Sequence, residues 1–385
     1  MTNYKLSATT FAGLEQVLAD ELLELGAKNI KKGIRNVQFE GDLGFIYKAN
    51  YNIHTALRIF KQIYFAKFVK TGGQLYHQIS NIDWSKYISV NQTFRIDVSG
   101  KSKFFDNTQF VALKSKDAIV DQFRSKTGSR PDIDLRNPDI RILIHLQGEK
   151  VQVLLDSSGD SLHKRGYRSA TNIAPINEVL AAGITKITGW KALTNLLDPM
   201  CGSGTILIEA AMIAMNIPAN INRKKFGFEN WQDFDEELFN LIKDVSLKKI
   251  REIPKGIKIM GFDKAPSAVE KAIQNVKNAG LEEFISIKQQ DFFKTFRPEN
   301  KTTLIFNPPY NERLSIDVKY FYKEIGDTLK NNYPDTTAWI LVGNTEALKS
   351  VGLRTSKKIP LYNGKIEVRL VKYEMFKGKI KDRKV

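Results

Sequence analysis

The sequence has almost no cysteine, and it lacks the long apolar runs of membrane-spanning helices. It contains one cysteine, Cys201, among 385 residues. A single cysteine excludes an internal disulfide and a zinc site made of several thiolates, and it fits the reducing cytoplasm. No apolar run approaches the roughly 20 residues of a membrane helix. Residues 2–10 have the pattern of a strand, so we expect no signal peptide. From the short apolar runs and the single cysteine we likewise expect no membrane span and no metal site.

Acidic residues are the second shortage. The chain carries 42 Asp and Glu against 59 Lys and Arg, which gives a formal net charge of +17. A surplus of this size favours a polyanionic partner, and nucleic acid before a membrane surface. Many basic proteins bind no nucleic acid, so the charge alone does not decide the class. The length allows two or three domains with a substantial core.

One apolar stretch ends abruptly at two prolines. Residues 302–310 read TTLIFNPPY, the pattern of a buried strand followed by a rigid loop, because proline cannot donate to a sheet ladder. The loop would then lie at the carboxyl end of the strand, where open α/β sheets bind ligands. The Asn307 side chain and the Pro308 carbonyl can accept hydrogen bonds from a planar amino group, on whose ring Tyr310 can stack. The candidate catalytic residues, for a reaction at a base amine or a glutamine amide, are Asn307, Pro308, Pro309 and Tyr310.

A second motif lies earlier in the chain. Residues 195–205 read NLLDPMCGSGT. An apolar strand ends at Asp198, a Gly202-Ser203-Gly204 turn lets the backbone approach a ligand closely, and a helix begins at about Thr205. A lone glycine turn is weak evidence for a nucleotide site. Together with the NPPY loop on a later strand, it indicates that an electrophile and an amine meet at one edge of a sheet.

The two motifs carry a resemblance to a known family. DPMCGSGT followed by NPPY resembles the class I S-adenosylmethionine-dependent amino-methyltransferases. The DPMCGSG motif, preceded by LHKRGYR at 162–168, is similar to the corresponding motifs of the THUMP-domain RNA guanine-N2 methyltransferases, including those of 23S rRNA. The resemblance implies an α/β fold in which a ferredoxin-like domain and an α+β THUMP domain precede a Rossmann-like methyltransferase domain with a terminal antiparallel strand. It also implies an enzyme that uses S-adenosylmethionine and has RNA, rRNA before other classes, as its partner.

The resemblance also assigns a cofactor site. Asp263 ends the strand at 257–263 and would bond the ribose hydroxyls, although it lies roughly 60 residues past the glycine turn instead of about 20. Asp291 would bond the adenine amine and Phe292 would pack on the ring, while the alternative for Asp291 is a helix cap or turn residue. Cys201 is not expected to be a nucleophile, because it lies in the turn that holds the cofactor. The full cofactor-binding set is Asp198, Pro199, Cys201, Gly202, Ser203, Gly204, Thr205, Asp263, Asp291 and Phe292.

The pattern of elements and the resemblance give a domain order. We expect a ferredoxin-like domain at 1–55, a THUMP domain that binds RNA at 56–156, a basic linker at 157–174 and a methyltransferase domain at 165–385. Lysines and arginines recur on polar positions of the second unit, although any single one is more simply interpreted as solvated surface. The linker combines basic and aromatic residues that suit phosphate neutralisation and base stacking, and the alternative is a linker held to the surface by salt bridges. Its candidate RNA-binding residues are His163, Lys164, Arg165, Tyr167 and Arg168.

Local patterns predict further details of the fold. Gly72-Gly73 is expected to break a strand, and Asn363-Gly364 to close a hairpin that contains the reversed terminal strand. Residues 216–255 are interpreted as an insertion beside the active site that either contacts RNA through Arg223, Lys224 and Lys225 or covers the sheet. The helix at 266–279 is expected to bury Ala268, Val269, Ala272, Ile273 and Val276.

The motifs leave three functions open. The first is methylation of guanine N2 in structured RNA. Here 23S rRNA is preferred to tRNA because the motif sequences resemble those of the 23S rRNA enzymes. The second is the same catalytic domain acting on DNA adenine N6 or on a protein glutamine, against which the basic N-terminal half argues. The third is a non-catalytic RNA-binding protein, which the intact Asp198, Asp263 and NPPY set argues against. For the first function we expect a cytoplasmic monomer or weak dimer.

Overall fold

Two β-sheets organise the chain, one in each half. The computed structural model describes residues 2–168, 176–309, 317–343, 346–364 and 366–376. The N-terminal sheet has the strand order β2-β3-β1-β4-β8-β7-β5-β6. Its strands are β1 (Tyr4–Thr9), β2 (Lys28–Lys32), β3 (Asn36–Gly41), β4 (Arg58–Ala66), β5 (Thr93–Lys101), β6 (Asp132–Ile133), β7 (Ile140–Gln147) and β8 (Lys150–Asp156).

Four helices belong to this half, and their apolar sides share one core with the sheet. They are α1 (Glu15–Leu25), α2 (Leu43–Asn52), α3 (Gly72–Ser80) and α4 (Thr108–Thr127). Leu18 and Ile46 from the first two helices, and Val111 and Ile119 from α4, are buried in that core. The strands alternate accordingly, and in β7 every second residue from Ile140 is buried.

Strand β4 connects the two units predicted for this half. It pairs antiparallel with β1 on one side and antiparallel with β8 on the other. The strands predicted for a ferredoxin-like unit and those predicted for a THUMP unit therefore form one continuous sheet. The boundary between them at residue 55 remains an interpretation of the sequence.

Helix α3 corrects one local prediction. Gly72 and Gly73 do not simply break a strand; they form the first turn of the helix. The Thr71 side chain accepts a hydrogen bond from the Gln74 backbone N–H at 3.2 Å, and the Gln74 side chain accepts one from the Thr71 backbone N–H at 3.3 Å. This reciprocal pair is a capping box, which offsets the poor helix propensity of two glycines.

The C-terminal sheet has the strand order β11-β10-β9-β12-β13-β15-β14. Strands β9 to β13 are parallel to one another, and β15 runs antiparallel to β13. The strands are β9 (Asn195–Asp198), β10 (Ile259–Asp263), β11 (Ile285–Gln289), β12 (Thr302–Phe306), β13 (Thr337–Val342), β14 (Lys357–Asn363) and β15 (Ile366–Glu374). The described helices of this half are α5 (Glu178–Thr188), α6 (Thr205–Met215), α7 (Glu236–Leu247), α8 (Pro266–Asn278) and α9 (Val318–Asn332). The predicted fold class is confirmed, including the reversed terminal strand and its hairpin at Asn363.

The insertion at 216–255 lies against the N-terminal half, so the expectation that it lies beside the active site is wrong. Phe228 and Phe239 pack on Tyr47 of α2, with ring centroids 4.5 and 5.7 Å from the Tyr47 ring. The Lys61 ammonium of β4 lies 2.8 Å from the Asp233 carboxylate. The Arg223 guanidinium donates to backbone carbonyls, Asp160 among them, which removes it from the residues available to RNA. The other two predicted contacts of the insertion, Lys224 and Lys225, are exposed.

Among the described residues, no helix combines the length and the apolar character that crossing a bilayer requires.

Candidate active site

A cavity of about 320 Å³ lies at the carboxyl ends of β9, β10 and β12. Strand β9 is central here, since Leu197 pairs with Met260 of β10 and with Leu304 of β12. Residues that follow these three strands must therefore converge. The lining includes Asp198, Pro199, Met200, Cys201, Gly202, Ser203, Asp263, Asp291, Phe292, Phe293, Asn307 and Pro309. The structure thus brings the glycine turn and the NPPY loop to one cavity.

The glycine turn is shaped by its backbone and supported from below by α8. Gly202 and Gly204 have φ angles of +53° and +77°, a region that residues with a Cβ rarely adopt. The Asn275 side chain, on α8, donates a hydrogen bond of 3.0 Å to the Ser203 carbonyl. Gly204 and Thr205 lie outside the cavity lining, at the start of α6. The structure therefore does not bring these two predicted cofactor-binding residues to the cavity wall.

The Asp263 carboxylate is fixed to the same turn. One oxygen accepts the Gly202 N–H at 2.9 Å and the other accepts the Ala265 N–H at 2.9 Å. Each carboxylate oxygen has a second lone pair, and the side chain lines the cavity. This geometry suits an acceptor for a pair of ligand hydroxyls.

The Asp198 carboxyl is 2% exposed, and one of its oxygens accepts the Met200 N–H at 3.1 Å. Burial raises its pKa well above the ordinary value, and the neighbouring charge of Asp263 raises it further. A cation in the cavity would favour the ionised form and oppose that shift. Asp198 and Asp263 both line the cavity, so a ligand that brings positive charge would reduce the repulsion between the two carboxyl groups.

Cys201 shares this environment. It is buried, and burial raises the pKa of its thiol well above the ordinary range, with Asp198 and Asp263 adding to the effect. The thiol, not the thiolate, is the form at neutral pH, which agrees with the expectation that it is not a nucleophile.

Asn307 presents the most informative atom of the site. Its side-chain oxygen is buried and has no hydrogen-bond partner within the described part of the chain. Such orphaned acceptors are rare in folded proteins, because each costs about 1–3 kcal/mol in lost hydration. The Asn307 oxygen is therefore available to a donor on a ligand. Pro309 lines the cavity beside it, Pro308 is buried, and Tyr310 lies outside the described residues.

The two residues predicted to contact adenine, Asp291 and Phe292, lie at the start of a short turn. Asp291 accepts the Phe293 N–H at 3.2 Å and caps a short 3-10 turn over Phe292–Lys294, which is the alternative considered for it. It also lines the cavity, so the cap does not remove it from the site. Phe292 is buried against Phe306, with ring centroids 5.7 Å apart. Phe293 is half-buried and lines the cavity too, although only Phe292 was predicted to pack on the adenine ring.

Two of the five candidate RNA-binding residues in the linker are internal and a third, Arg168, is only partly exposed, which corrects that prediction. Arg165 and Tyr167 are 2% and 1% exposed. The Arg165 guanidinium lies 3.4 Å from Glu209 of α6, and the Tyr167 hydroxyl donates to the same carboxylate at 3.0 Å. Arg168 donates to the Thr205 hydroxyl at 2.8 Å and pairs with Glu178 at 3.2 Å. The described part of the linker, up to Arg168, is held by buried contacts, so Arg165 and Tyr167 are not available to RNA.

The other two linker residues differ from one another. His163 is half-buried, and burial, assisted by the charge of Arg165, lowers the pKa of its imidazole to about 4. It is neutral near pH 7 and cannot neutralise a phosphate. Lys164 keeps an exposed side chain whose ammonium lies 3.1 Å from Asp160. Of the five residues, Lys164 fits the predicted phosphate contact best.

Sequence reasoning missed Asn275, the residue that supports the glycine turn. Ile273, which was expected to be buried, is 50% exposed, whereas Asn275 is 1% exposed. The detectable signal was the spacing: Ala268, Ala272, Asn275 and Val276 are related by three or four residues and form one helix face. A single asparagine on an otherwise apolar face indicates a buried hydrogen bond.

Comparison with known proteins gives a consistent family. Residues 165–372 match the model of the RMKL-like methyltransferase domain, 70–156 that of the THUMP domain, and 5–60 that of the RlmL ferredoxin-like domain. Ribosomal RNA large subunit methyltransferase K/L of Shewanella frigidimarina is 37% identical over 360 residues, 92% of this chain and 50% of that protein. The chain thus spans about half the length of these relatives. The slr0064 protein of Synechocystis is 36% identical over 371 residues, 96% of each chain.

Solved structures extend the similarity to the whole fold. The crystal structure of SMU.472 complexed with SAH superposes with a TM-score of 0.87 and 31% identity, covering 98% of this chain and 100% of that one. A possible methylase from Clostridium difficile 630 gives a TM-score of 0.88 and 32% identity over the same shares. The chain belongs to the RMKL-like methyltransferase family, and in it the methyltransferase domain follows a ferredoxin-like and a THUMP domain.

Proposed function

We propose that this protein transfers a methyl group from S-adenosylmethionine to the exocyclic N2 amine of a guanosine in structured RNA, with 23S rRNA as the favoured substrate. The observation that carries the proposal is that Asn307 lines the cavity of the glycine turn and that its buried side-chain oxygen has no hydrogen-bond partner among the described residues. The names of the K/L relatives support the RNA substrate, and the SAH-bound neighbour supports the cofactor. We further propose that the protein acts in the cytoplasm as a monomer or weak dimer.

The residues of the cavity fit this cofactor. The Asp263 carboxylate has acceptors free for two ribose hydroxyls, and Asp291 with Phe292 or Phe293 offers an acceptor and a ring for adenine. The Asp198 and Asp263 carboxyl groups line the cavity together, which fits a ligand that carries positive charge. When bound, S-adenosylmethionine supplies a methyl group activated by a sulfonium.

Asn307 and Pro308 act on the amine. Guanine N2 is a poor nucleophile because its lone pair is delocalised into the ring. Two acceptors, the Asn307 oxygen and the Pro308 carbonyl, would hold its two N–H groups and favour a tetrahedral nitrogen with a localised lone pair. These hydrogen bonds strengthen as the nitrogen becomes tetrahedral, so they lower the barrier rather than merely bind the substrate. Alignment of the amine with the methyl group contributes further.

The roles of the remaining motif residues follow from their neighbours. Pro309 stiffens the loop beside Asn307, and Tyr310 is proposed from the sequence alone to stack on the target base. The domain order proposed from the sequence assigns RNA binding to the N-terminal half. The exposed lysines Lys164, Lys224 and Lys225 are candidates for phosphate contacts.

The test uses RNA from a strain that lacks the protein. The purified full chain is incubated with that RNA and S-adenosylmethionine, and nucleosides are identified by mass spectrometry. Formation of N2-methylguanosine in 23S rRNA is the expected result. Methyl transfer only to tRNA would change the substrate, N6-methyladenine in DNA would select the DNA alternative, and no transfer to any nucleic acid or protein would reject the enzyme.

A further inference from the structure

Two strongly exposed aromatic rings of the N-terminal half lie near the segment where β4 leads into α3, while other exposed rings, such as that of Phe296, lie elsewhere along the chain. Phe68 is 70% exposed and Phe110, in the first turn of α4, is 44% exposed. Phe104, in the loop between β5 and α4, is partly buried. Scattered exposed rings are ordinary, but several rings at one place on a basic domain indicate a binding surface.

The backbone of Phe68 adds a second observation. Its φ angle is +62°, in the left-handed region that bulky side chains avoid. Its neighbour Val69 is buried, and the Val69 N–H donates to the Glu149 carbonyl, so the turn is held firmly. Phe68 therefore lowers the stability of the fold in two ways, through its left-handed backbone and through the exposure of its apolar ring. Such a cost is typical of a residue retained for binding.

Lysines are interleaved with these rings. The ammonium groups of Lys70 and Lys103 lie 5.7 and 5.1 Å from the centroid of Phe104. Phe110 and Lys114 lie over the start of α3: a Cβ built on Gly72 would come within 2.7 Å of the Phe110 ring and 3.9 Å of the Lys114 side chain. The aromatic–lysine surface is defined here as Phe68, Lys70, Lys103, Phe104, Phe110 and Lys114.

The charge of this surface is largely uncompensated. Lys70 pairs with Glu149 at 3.3 Å. Within the described ranges, no carboxylate lies within 4 Å of the Lys103 or Lys114 ammonium. Lys114 instead lies 5.7 Å from the Tyr76 ring. The surface therefore combines free positive charge with exposed ring faces.

We propose that the aromatic–lysine surface binds unpaired nucleotides of the RNA substrate, with bases stacked on Phe68 and its neighbouring rings and phosphates neutralised by the lysines. The proposal rests on the proposed function and adds the conformation of the RNA that is recognised. A duplex keeps its base faces stacked and cannot offer them to Phe68, whereas a single strand can. Stacking tolerates any base, so the surface contributes affinity more than sequence preference.

The surface belongs to a different sheet from the cavity, so it holds RNA away from the reacting amine. We therefore expect its variants to raise KM for a substrate with a single-stranded flank and to leave kcat nearly unchanged. A residue needed only for folding would instead lower the amount of active protein and the melting temperature.

The test measures binding of the full-length protein to fluorescent oligonucleotides by anisotropy, using a 12-nucleotide unstructured RNA and a 12-base-pair RNA duplex. Phe68→Asn removes the ring, and asparagine tolerates the left-handed backbone. Phe296→Asn is the matched control, since Phe296 is 72% exposed on the other half and lies outside the cavity lining. Lys103→Gln tests the phosphate contact through the salt dependence of binding.

We expect Phe68→Asn to weaken single-strand binding by at least fivefold, as loss of one stacked base would, with the duplex and the Phe296→Asn control unchanged. Lys103→Gln should reduce the slope of log Kd against log salt by about 0.7. Equal affinity of the wild-type protein for duplex and single strand, or equal effects of the two asparagine variants, would overturn the proposal. These measurements require no methyl transfer, so failure of the proposed reaction leaves them decisive.

Discussion

Arg165 and Glu209 form an ion pair at 3.4 Å in which both side chains are almost completely buried. Glu209 lies in the second turn of α6, the helix that begins at the glycine turn. The Arg165 guanidinium also donates to the Leu162 carbonyl at 2.9 Å and to the His54 carbonyl. The pair thus joins the linker, the N-terminal half and the helix under the cofactor cavity.

Arg165→Met should destabilise the protein by about 3 kcal/mol or more, because it leaves the buried Glu209 carboxylate without its arginine partner. The measurement is the free energy of unfolding in urea. Lys164→Met is the matched control: the Lys164 ion pair with Asp160 is exposed and should contribute less than about 1 kcal/mol. Equal losses for the two variants would contradict the assignment of Arg165 as a buried structural residue.

His163 should make stability depend on pH below neutrality. Its ordinary pKa of 6.5 applies in the unfolded chain, while burial lowers the pKa to about 4 in the folded chain. Between these values the unfolded state binds a proton that the folded state excludes, so the free energy of unfolding falls as pH drops from 6.5 to 4.

His163→Gln should therefore lose less stability than wild type over that pH window, as measured by urea unfolding at pH 7, 6, 5 and 4. His77→Gln, at an exposed position on α3, controls for removal of an imidazole. If the free energy of unfolding of the His163 variant had the same slope against pH as that of wild type, the folded protein would not lower the pKa of this ring.

Asn307→Ala should reduce kcat by about 100-fold or more, the usual loss for one acceptor or donor that acts in the transition state. Its affinity for S-adenosylhomocysteine, measured by calorimetry, should stay near wild type because the proposed partner of Asn307 is the amine. Asn300→Ala changes an exposed asparagine just before β12 and serves as the control. Full activity in the Asn307 variant would remove this residue from the mechanism.

Asp263→Asn should weaken S-adenosylhomocysteine binding by about tenfold or more, because hydrogen bonds to a charged group contribute about 1.5–3 kcal/mol. Part of the loss would come from the glycine turn, since Asp263 accepts the Gly202 N–H. Calorimetric titration gives the affinity, and Glu270→Gln on the exposed side of α8 is the control. Wild-type affinity in the Asp263 variant would reject the ribose assignment.

The sequence was sufficient to predict the meeting of the two motifs. Apolar runs that end at Asp198, Asp263 and Asn307 predict parallel strands, and the carboxyl ends of neighbouring parallel strands must share an edge. Helix ends were predictable for the same local reason: Asp42 accepts the Phe45 N–H at 2.8 Å and caps α2 as its position suggests. Local chemistry decided these features.

Other features depended on contacts between distant residues. A basic side chain has the same sequence appearance whether it faces RNA or a buried carboxylate, and Arg165 finds Glu209 only after the fold brings them together. The position of the insertion depends likewise on Tyr47, which meets Phe228 and Phe239 from far along the chain. Ile273 and Asn275 lie near the border of one helix face, where a period of 3.6 residues does not decide which is inside.

The central position of β4 determines which truncations of this protein can fold. A shortened chain that begins at residue 56 would lack β1, β2 and β3. The part of β4 that pairs with β1, residues 58–61, would then present unpaired N–H and C=O groups beside apolar residues such as Ile59. Open edges of this kind recruit strands from other molecules, so the truncated protein should aggregate. Surface substitutions, not shortened chains, are the appropriate tools for finding where the RNA lies.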